Sequence, residues 1–204
     1  MKEFYFRNLG FQYIAGIDEA GRGAIAGPIF ASAVILPWEF FSLEIKDSKL
    51  LSTKKREKLF KKICKEALSF SIAKAEVEEI NQLGVLKATF LAMKRSLEGL
   101  DLKPDLVLID GPFTIPDYRG KQKALVKGDK IYLSISAASI LAKVARDKYM
   151  ENLSFLYPEY QFDKHKGYPT KDHLKKIEKY GVSEVHRKNF KIFINFLKKP
   201  DLSE

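Results

Sequence analysis

Apolar residues recur along this chain with two different periods, and the period separates strands from helices. Apolar runs at residues 13–17 and 28–36, the second closed by Pro37 and Trp38, predict two buried strands. Residues 69–77 alternate well enough for a third, with Phe70, Ile72, Ala73 and Ala75 in it, while 105–109 after Pro104 and 123–126 predict a fourth and a short fifth. Spacings of three and four predict helices over 53–68, with Leu59, Phe60, Ile63 and Ala67 inside and Ser52 as N-cap, and over 83–97, ended by Gly99. A third helix is predicted at 135–149, and two short ones at 171–180 and 184–197. The short turn between the first two strands predicts an antiparallel pair, whereas the helix before the fourth strand predicts a crossover.

The first strand runs into Asp18 and Glu19 and then breaks into Gly21-Arg22-Gly23. Carboxylates are costly to bury unless paired or bound to a cation, so their place at the end of a core strand points to an oxygen-ligand site for a hard metal ion. Glycines on both sides of Arg22 let the backbone turn tightly and approach a ligand, with the guanidinium as a phosphate partner. On this heptad alone, a glycine turn with solvated acids explains the pattern equally well. The fourth strand also ends in an acid, Asp110, followed by Gly111-Pro112, and the fifth is followed by Lys127-Gly128-Asp129. In crossover sheets ligands gather at the carboxyl ends of strands, so Asp110 is expected beside Asp18.

Charge adds a partner to this picture. The 204 residues are 46% hydrophobic, enough for a proper core, and carry 36 Lys or Arg against 26 acids, a formal +10 that favours a polyanion such as nucleic acid. The basic excess is dense at 46–65, with nine Lys or Arg against two acids. The single cysteine, Cys64, excludes an internal disulfide and suits a reducing compartment. The longest nearly apolar run, 24–36, is too short to span a bilayer and is preceded by acids, which also spoils it as a signal peptide, so a cytoplasmic location is expected. From residue 154 the chain turns to aromatics, prolines and basic residues, which predicts a helical lobe at 154–204 after a catalytic domain at 1–153.

Asp18, Glu19, Asp110 and Asp129 therefore form a candidate cluster. Gathered carboxylates repel one another unless cations offset their charge, and two hard ions would clamp the attacking water and the leaving oxygen of a phosphodiester. Magnesium fits such an all-oxygen shell, while zinc lacks His and Cys ligands at suitable spacing; lone histidines such as His165 and His173 read as polar surface residues. Ser136, Ser139, Lys143 and Asp147 share a helical stripe whose small hydroxyls and lysine suit phosphate oxygens.

Taken together, these motifs resemble the ribonuclease HII family, the type 2 ribonucleases H. The matching stretches are Gly16 through Gly23 with Gly27-Pro28, Asp47-Ser48-Lys49, Ile109-Asp110-Gly111, Lys127-Gly128-Asp129, Ser136 through Lys143 with Arg146-Asp147, and His165 through Thr170. They occur in family order over most of the chain. The resemblance implies a ribonuclease H-like mixed five-stranded α/β sheet flanked by helices, with a small C-terminal helical lobe. It implies a monomeric endoribonuclease that cuts RNA in RNA/DNA hybrids and at ribonucleotides embedded in duplex DNA, leaving 3′-hydroxyl and 5′-phosphate ends. Asp18, Glu19, Asp110 and Asp129 match the acids that hold catalytic Mg2+ or Mn2+. Gly21, Arg22 and Gly23 match the turn that reads the 2′-hydroxyl, Tyr168 the tyrosine that stacks on that sugar, and Lys49, Ser139 and Lys143 positions near substrate phosphates. The family often has a second lysine after Asp-Ser-Lys where this chain has Leu50, and its pattern gives Asp147 a structural place rather than a metal. A non-catalytic nucleic-acid binder would not need four strand-end acids, and a nucleotide-dependent phosphotransferase fails on glycine spacing.

Overall fold

The computed structural model describes residues 3–40, 42, 45 and 51–190. At its centre five strands, β1 (Ile14–Ala20), β2 (Ile29–Ile35), β3 (Ser69–Ala75), β4 (Leu106–Asp110) and β5 (Gln122–Leu125), are ordered β3-β2-β1-β4-β5. β2 is antiparallel to β1 and β3, and β4 is parallel to β1 and β5, which makes the mixed sheet that the spacing and the resemblance imply. The helices are α1 (Glu3–Asn8), α2 (Thr53–Glu66), α3 (Val77–Leu83), α4 (Val85–Glu98), α5 (Leu133–Leu156), α6 (Phe162–His165) and α7 (Lys171–Tyr180). Among the described residues, no helix is long and apolar enough to cross a membrane.

Strand alternation divides the core between the two faces of the sheet. Ala15, Ile17, Ala31, Val107 and Ile109 pack against Ala88, Ala92, Met93 and Leu97 of α4. On the other face Val34 meets α2 and α5, and Ile14 and Leu108 meet Ile135 at the start of α5. Gly16 lies under that start: a Cβ there would sit 2.2 Å from the backbone of Ser134 and Ile135. With no side chain between them, β1 and α5 run alongside each other at contact distance. Two strand residues advance ~6.6 Å and four to five helical residues ~7 Å, so Asp18 comes level with Ser139. The N-terminus of α5 has no cap of its own; Glu3 of α1 accepts the amides of Leu133 (3.0 Å) and Ser134 (2.8 Å) and the Ser134 hydroxyl (2.6 Å) instead.

Several boundaries differ from the sequence reading. β1 continues through both acids to Ala20, because β2 still pairs with it there (Asp18 with Ser32, Glu19 with Ala31) after β4 has stopped at Ile17 with Ile109. The third strand ends at Ala75 rather than 77, since Glu76 and Glu79 form a capping box that starts α3; Gly84, at φ +79°, then separates α3 from α4. The fifth strand is Gln122–Leu125, with Val126 exposed beyond it, and the third predicted helix lengthens to Leu133–Leu156. The helix expected at 184–197 is not one over 184–190, where the chain makes turns and a bridge between His186 and Ala26; 191–197 lies outside the described residues. The amide of Gly27 donates to Val185 and that of Arg187 to Ile25, and these long-range bonds take the place of helical ones. Tyr160, Phe162, Met150 and Ile177 form a further apolar cluster with Ile25 and Ala26, which ties the segment after α5 to the chain just past the glycine turn.

Candidate active site

Asp18, Glu19 and Asp110 line one open cleft of about 340 Å³, together with the 21–23 turn, Ser139, Lys143 and Tyr168. Asp18 is buried, accepts the amide of Glu19 at 2.7 Å and is hydrogen-bonded by the Ser139 side chain. Burial first, and then the charges of Glu19 and Asp110, hold its carboxyl well above the ordinary carboxylate range in spite of those two bonds. Glu19 is also raised, again by burial first; Arg22, 3.7 Å away, pulls it down and Asp110 pushes it up. Asp110 keeps one oxygen on the Gly128 amide at 2.7 Å. That bond brings the Gly128–Lys130 3-10 turn, and with it buried Asp129, next to the cluster; Asp129 itself does not line the cleft.

The two glycines of the turn do different things. Gly21 has φ +91°, and a Cβ on it would lie 1.9 Å from Nε of Arg146, so the turn rests directly on a buried guanidinium. Gly23 has room: the nearest atom to its missing Cβ is Cε1 of Tyr168 at 4.0 Å. Half-buried Tyr168 thus faces the turn across the cleft, with Lys143 Nζ 5.9 Å and Arg146 Cζ 5.4 Å from its ring centroid. Lys143 pairs with Asp147 at 2.7 Å, which gives Asp147 a structural partner. Ser136 does not face the cleft, because its hydroxyl donates to the carbonyls of Asp129 and Tyr132. Lys49 lies outside the described residues.

The ribonuclease HII family model matches residues 15–193. A ribonuclease HII from Caldicellulosiruptor saccharolyticus is 52% identical over 181 residues, 89% of this chain and 88% of that one. The chain belongs to the ribonuclease HII family. Among solved structures, the ribonuclease H2 of Pyrococcus horikoshii OT3 superposes with a TM-score of 0.76 at 27% identity, over 92% of this chain and 100% of the other. A ribonuclease HII from Archaeoglobus fulgidus, solved as a complex with PCNA, gives 0.70 at 26%, over 88% and 95%. The protein is accordingly a ribonuclease H, a metal-dependent hydrolase of a fold shared with these relatives.

The site fits the metal that this family membership implies. Its donors are all oxygens, and beyond the effect of burial Asp110 raises both Asp18 and Glu19, a repulsion that a bound cation would relieve. Among the described residues no three acids, histidines or cysteines stand grouped closely enough to hold an ion by themselves. An ion at Asp18, Glu19 and Asp110 would complete its shell with water and substrate oxygens, as magnesium commonly does.

Sequence reasoning did not single out Arg56 for the cleft, or Arg146 and Arg187 for the core. Arg56 lies one turn before Leu59 and Phe60, on the flank of the inner face of α2, and lines the cleft beside Lys143. Arg146 and Arg187 are fully buried and bonded to main-chain carbonyls, and burial beside Arg146 lowers Arg187 to about 9.

His165 and His173 are not surface residues, contrary to the sequence reading: both are buried, as is His186, and the three pack around Phe162. His173 Nδ1 meets the Tyr168 carbonyl at 2.9 Å, leaving Nε2 to accept from Nε2 of His186 at 3.1 Å; Nδ1 of His186 then accepts from the amide of Ser183 at 3.0 Å. The chain of bonds closes only if both rings are neutral. Burial lowers His173 to about 3 and His186 to about 4. As pH falls below the ordinary histidine value, the unfolded chain takes up these protons first, so their contribution is complete above about pH 6.5 and is lost towards the folded values. The raised Asp18 and Glu19 act in the opposite sense, which makes a variant the right reference. In urea unfolding between pH 6 and 5, wild type should lose stability more steeply than His173→Asn by about 1.4 kcal/mol per pH unit. Equal slopes would mean that His173 titrates as an exposed imidazole.

Proposed function

We propose that this ribonuclease H hydrolyses the RNA strand of RNA/DNA hybrids and cuts at ribonucleotides embedded in duplex DNA by two-metal-ion catalysis, leaving 3′-hydroxyl and 5′-phosphate ends. The observation that carries the reading is the shared cleft, in which Asp18, Glu19 and Asp110 stand next to the gap between Gly23 and Tyr168. A reactive phosphate held at the acids then has its neighbouring sugar in that gap. Bound Mg2+ or Mn2+ would supply charge neutralisation and an activated water. Asp18, Glu19, Asp110 and Asp129 hold the metal site, and Ser139 keeps Asp18 oriented. The 2′-hydroxyl is the only chemical difference between the two sugars, both donor and acceptor. Backbone groups of Gly21, Arg22 and Gly23 meet it on one side and the Tyr168 phenol on the other. Lys143 and Lys49 lie along the phosphates, and residues 154–204 serve as the substrate-binding lobe. The protein works as a monomer in the cytoplasm.

The test is a DNA duplex carrying one ribonucleotide, incubated with and without magnesium. Cleavage only with the metal is expected, and no cleavage of this duplex or of a hybrid with it present would overturn the reading. Tyr168→Phe keeps the ring and loses one hydrogen bond worth about 0.5–1.5 kcal/mol, up to about a tenfold loss in rate. Tyr168→Ala should lose more. Full activity in the Phe variant, or a loss that follows its melting temperature, would leave sugar recognition to the glycine turn alone.

A further inference from the structure

Arg146 sits where the two halves of the proposed sugar site meet. Its guanidinium donates through Nε to the carbonyl of Pro28 at 3.1 Å, through one terminal nitrogen to Ala26 at 3.1 Å and through the other to Lys166 at 2.9 Å. The first two acceptors belong to the chain that leaves the glycine turn, and the third lies two residues before Tyr168. The same planar group supports Gly21 from behind, at the 1.9 Å that a Cβ would have to share, and lies 5.4 Å from the Tyr168 ring centroid. A buried guanidinium held by carbonyl dipoles is a poor source of stability compared with apolar packing. As a spacer it is well suited, since its fork is flat and its donors are rigidly spaced.

Further contacts reinforce the joint. The amides of Ile25 and Ala26 donate to the Gly167 carbonyl at 2.9 and 3.3 Å, and a Cβ on Gly167 would lie 2.5 Å from the Ala26 carbonyl oxygen. Arg187 donates to the carbonyls of Ala24, Gly27 and Pro28 at 2.7, 2.8 and 3.1 Å. Arg187 fastens the turn, but Arg146 alone of the two bonds to both the turn side and the Tyr168 side.

We propose that Arg146 is a positioning residue for sugar recognition: it sets the width of the gap between the 21–23 turn and Tyr168, and so the preference for a ribonucleotide. The proposal rests on the reading that these two groups flank the 2′-hydroxyl. Lysine at 146 keeps the charge but offers one donor centre, and cannot hold Pro28 and Lys166 in one plane.

The experiment is a double-mutant cycle on the single-ribonucleotide duplex, with kcat/KM per folded molecule for wild type, Arg146→Lys, Tyr168→Phe and the double variant, and Arg146→Gln as a second route to the same loss. In the wild-type background Arg146→Lys should lower kcat/KM by about a hundredfold, the scale of an ångström's misplacement of reacting groups. In the Tyr168→Phe background the loss should be smaller by about threefold or more, because the contact that Arg146 positions is already gone. Equal losses in both backgrounds would overturn the proposal, since a merely structural arginine lowers every rate by the same factor. Melting curves below the assay temperature for both Arg146 variants would also overturn it, by placing Arg146 in the folding of the domain. No loss in Tyr168→Phe alone is a different failure: it removes the reading of Tyr168 on which the proposal stands.

Discussion

Asp110→Asn is expected to reduce cleavage by about a hundredfold or more while leaving the fold intact, because it removes a ligand charge and keeps the side-chain volume. The amide oxygen can still accept the Gly128 amide, now 2.7 Å from Asp110 Oδ1, so the turn that carries Asp129 stays in place. Asp110 is one of the charges that raise both Asp18 and Glu19. Its neutralisation should therefore stabilise the metal-free protein, by about 1 kcal/mol or ~2–4 °C in melting temperature. Magnesium should then raise the melting temperature of wild type more than that of the variant. Turnover close to wild type, or a metal-free variant that melts lower, would remove Asp110 from the metal site.

Gly21→Ala is expected to cost both stability and activity, and Gly23→Ala activity alone. At Gly21 a Cβ meets φ +91° and the Arg146 Nε at 1.9 Å and Cδ at 2.5 Å, so backbone strain of about 1–2 kcal/mol adds to displacement of a buried cation from its carbonyls. A loss of more than about 3 kcal/mol by urea unfolding should follow. At Gly23 no positive φ and no close neighbour stand in the way, and stability should change by about 1 kcal/mol or less. Its new methyl would nevertheless point into the gap facing Tyr168. Equal stability losses at the two positions would mean that the turn is one strained unit rather than a supported residue and a substrate-facing one.

The features legible in the sequence were those decided by neighbours in the chain. Apolar runs and their turn residues were enough for all five strands to within a few residues, for α2 with its Ser52 cap, and for the antiparallel hairpin. Acids at the ends of two apolar runs announced a charged site, because a carboxylate beside a core strand is costly wherever the strand lies. Local chemistry also explains one error. The 69–77 run was cut short by the Glu76 and Glu79 capping box, a signal of helix start that an apolar Val77 concealed.

What only the tertiary structure decided was the environment of polar residues. Nothing local distinguishes Arg146, fully buried, from Lys148 two residues later, which is exposed; the difference is that α5 turns Arg146 towards the carbonyls of Ala26 and Pro28, some 120 residues earlier in the chain. His173 and His186 became a buried neutral pair because each supplied what the other's ring nitrogen lacked, a match made across two segments. Residues 184–190 gave up a helical pattern to bond with 25–27. Asp18 owes its raised carboxyl first to burial in the closed interior, then to Glu19 beside it and to Asp110, which the parallel pairing of β1 with β4 brings to its side. Hydrophobic periodicity and turn chemistry act over a few residues and can be read in order along the chain, so the strands and the presence of an acidic site were determined by sequence. Desolvation and hydrogen-bond satisfaction are properties of a closed interior, so which arginines, histidines and carboxylates share that interior was decided only when the sheet and α5 came together.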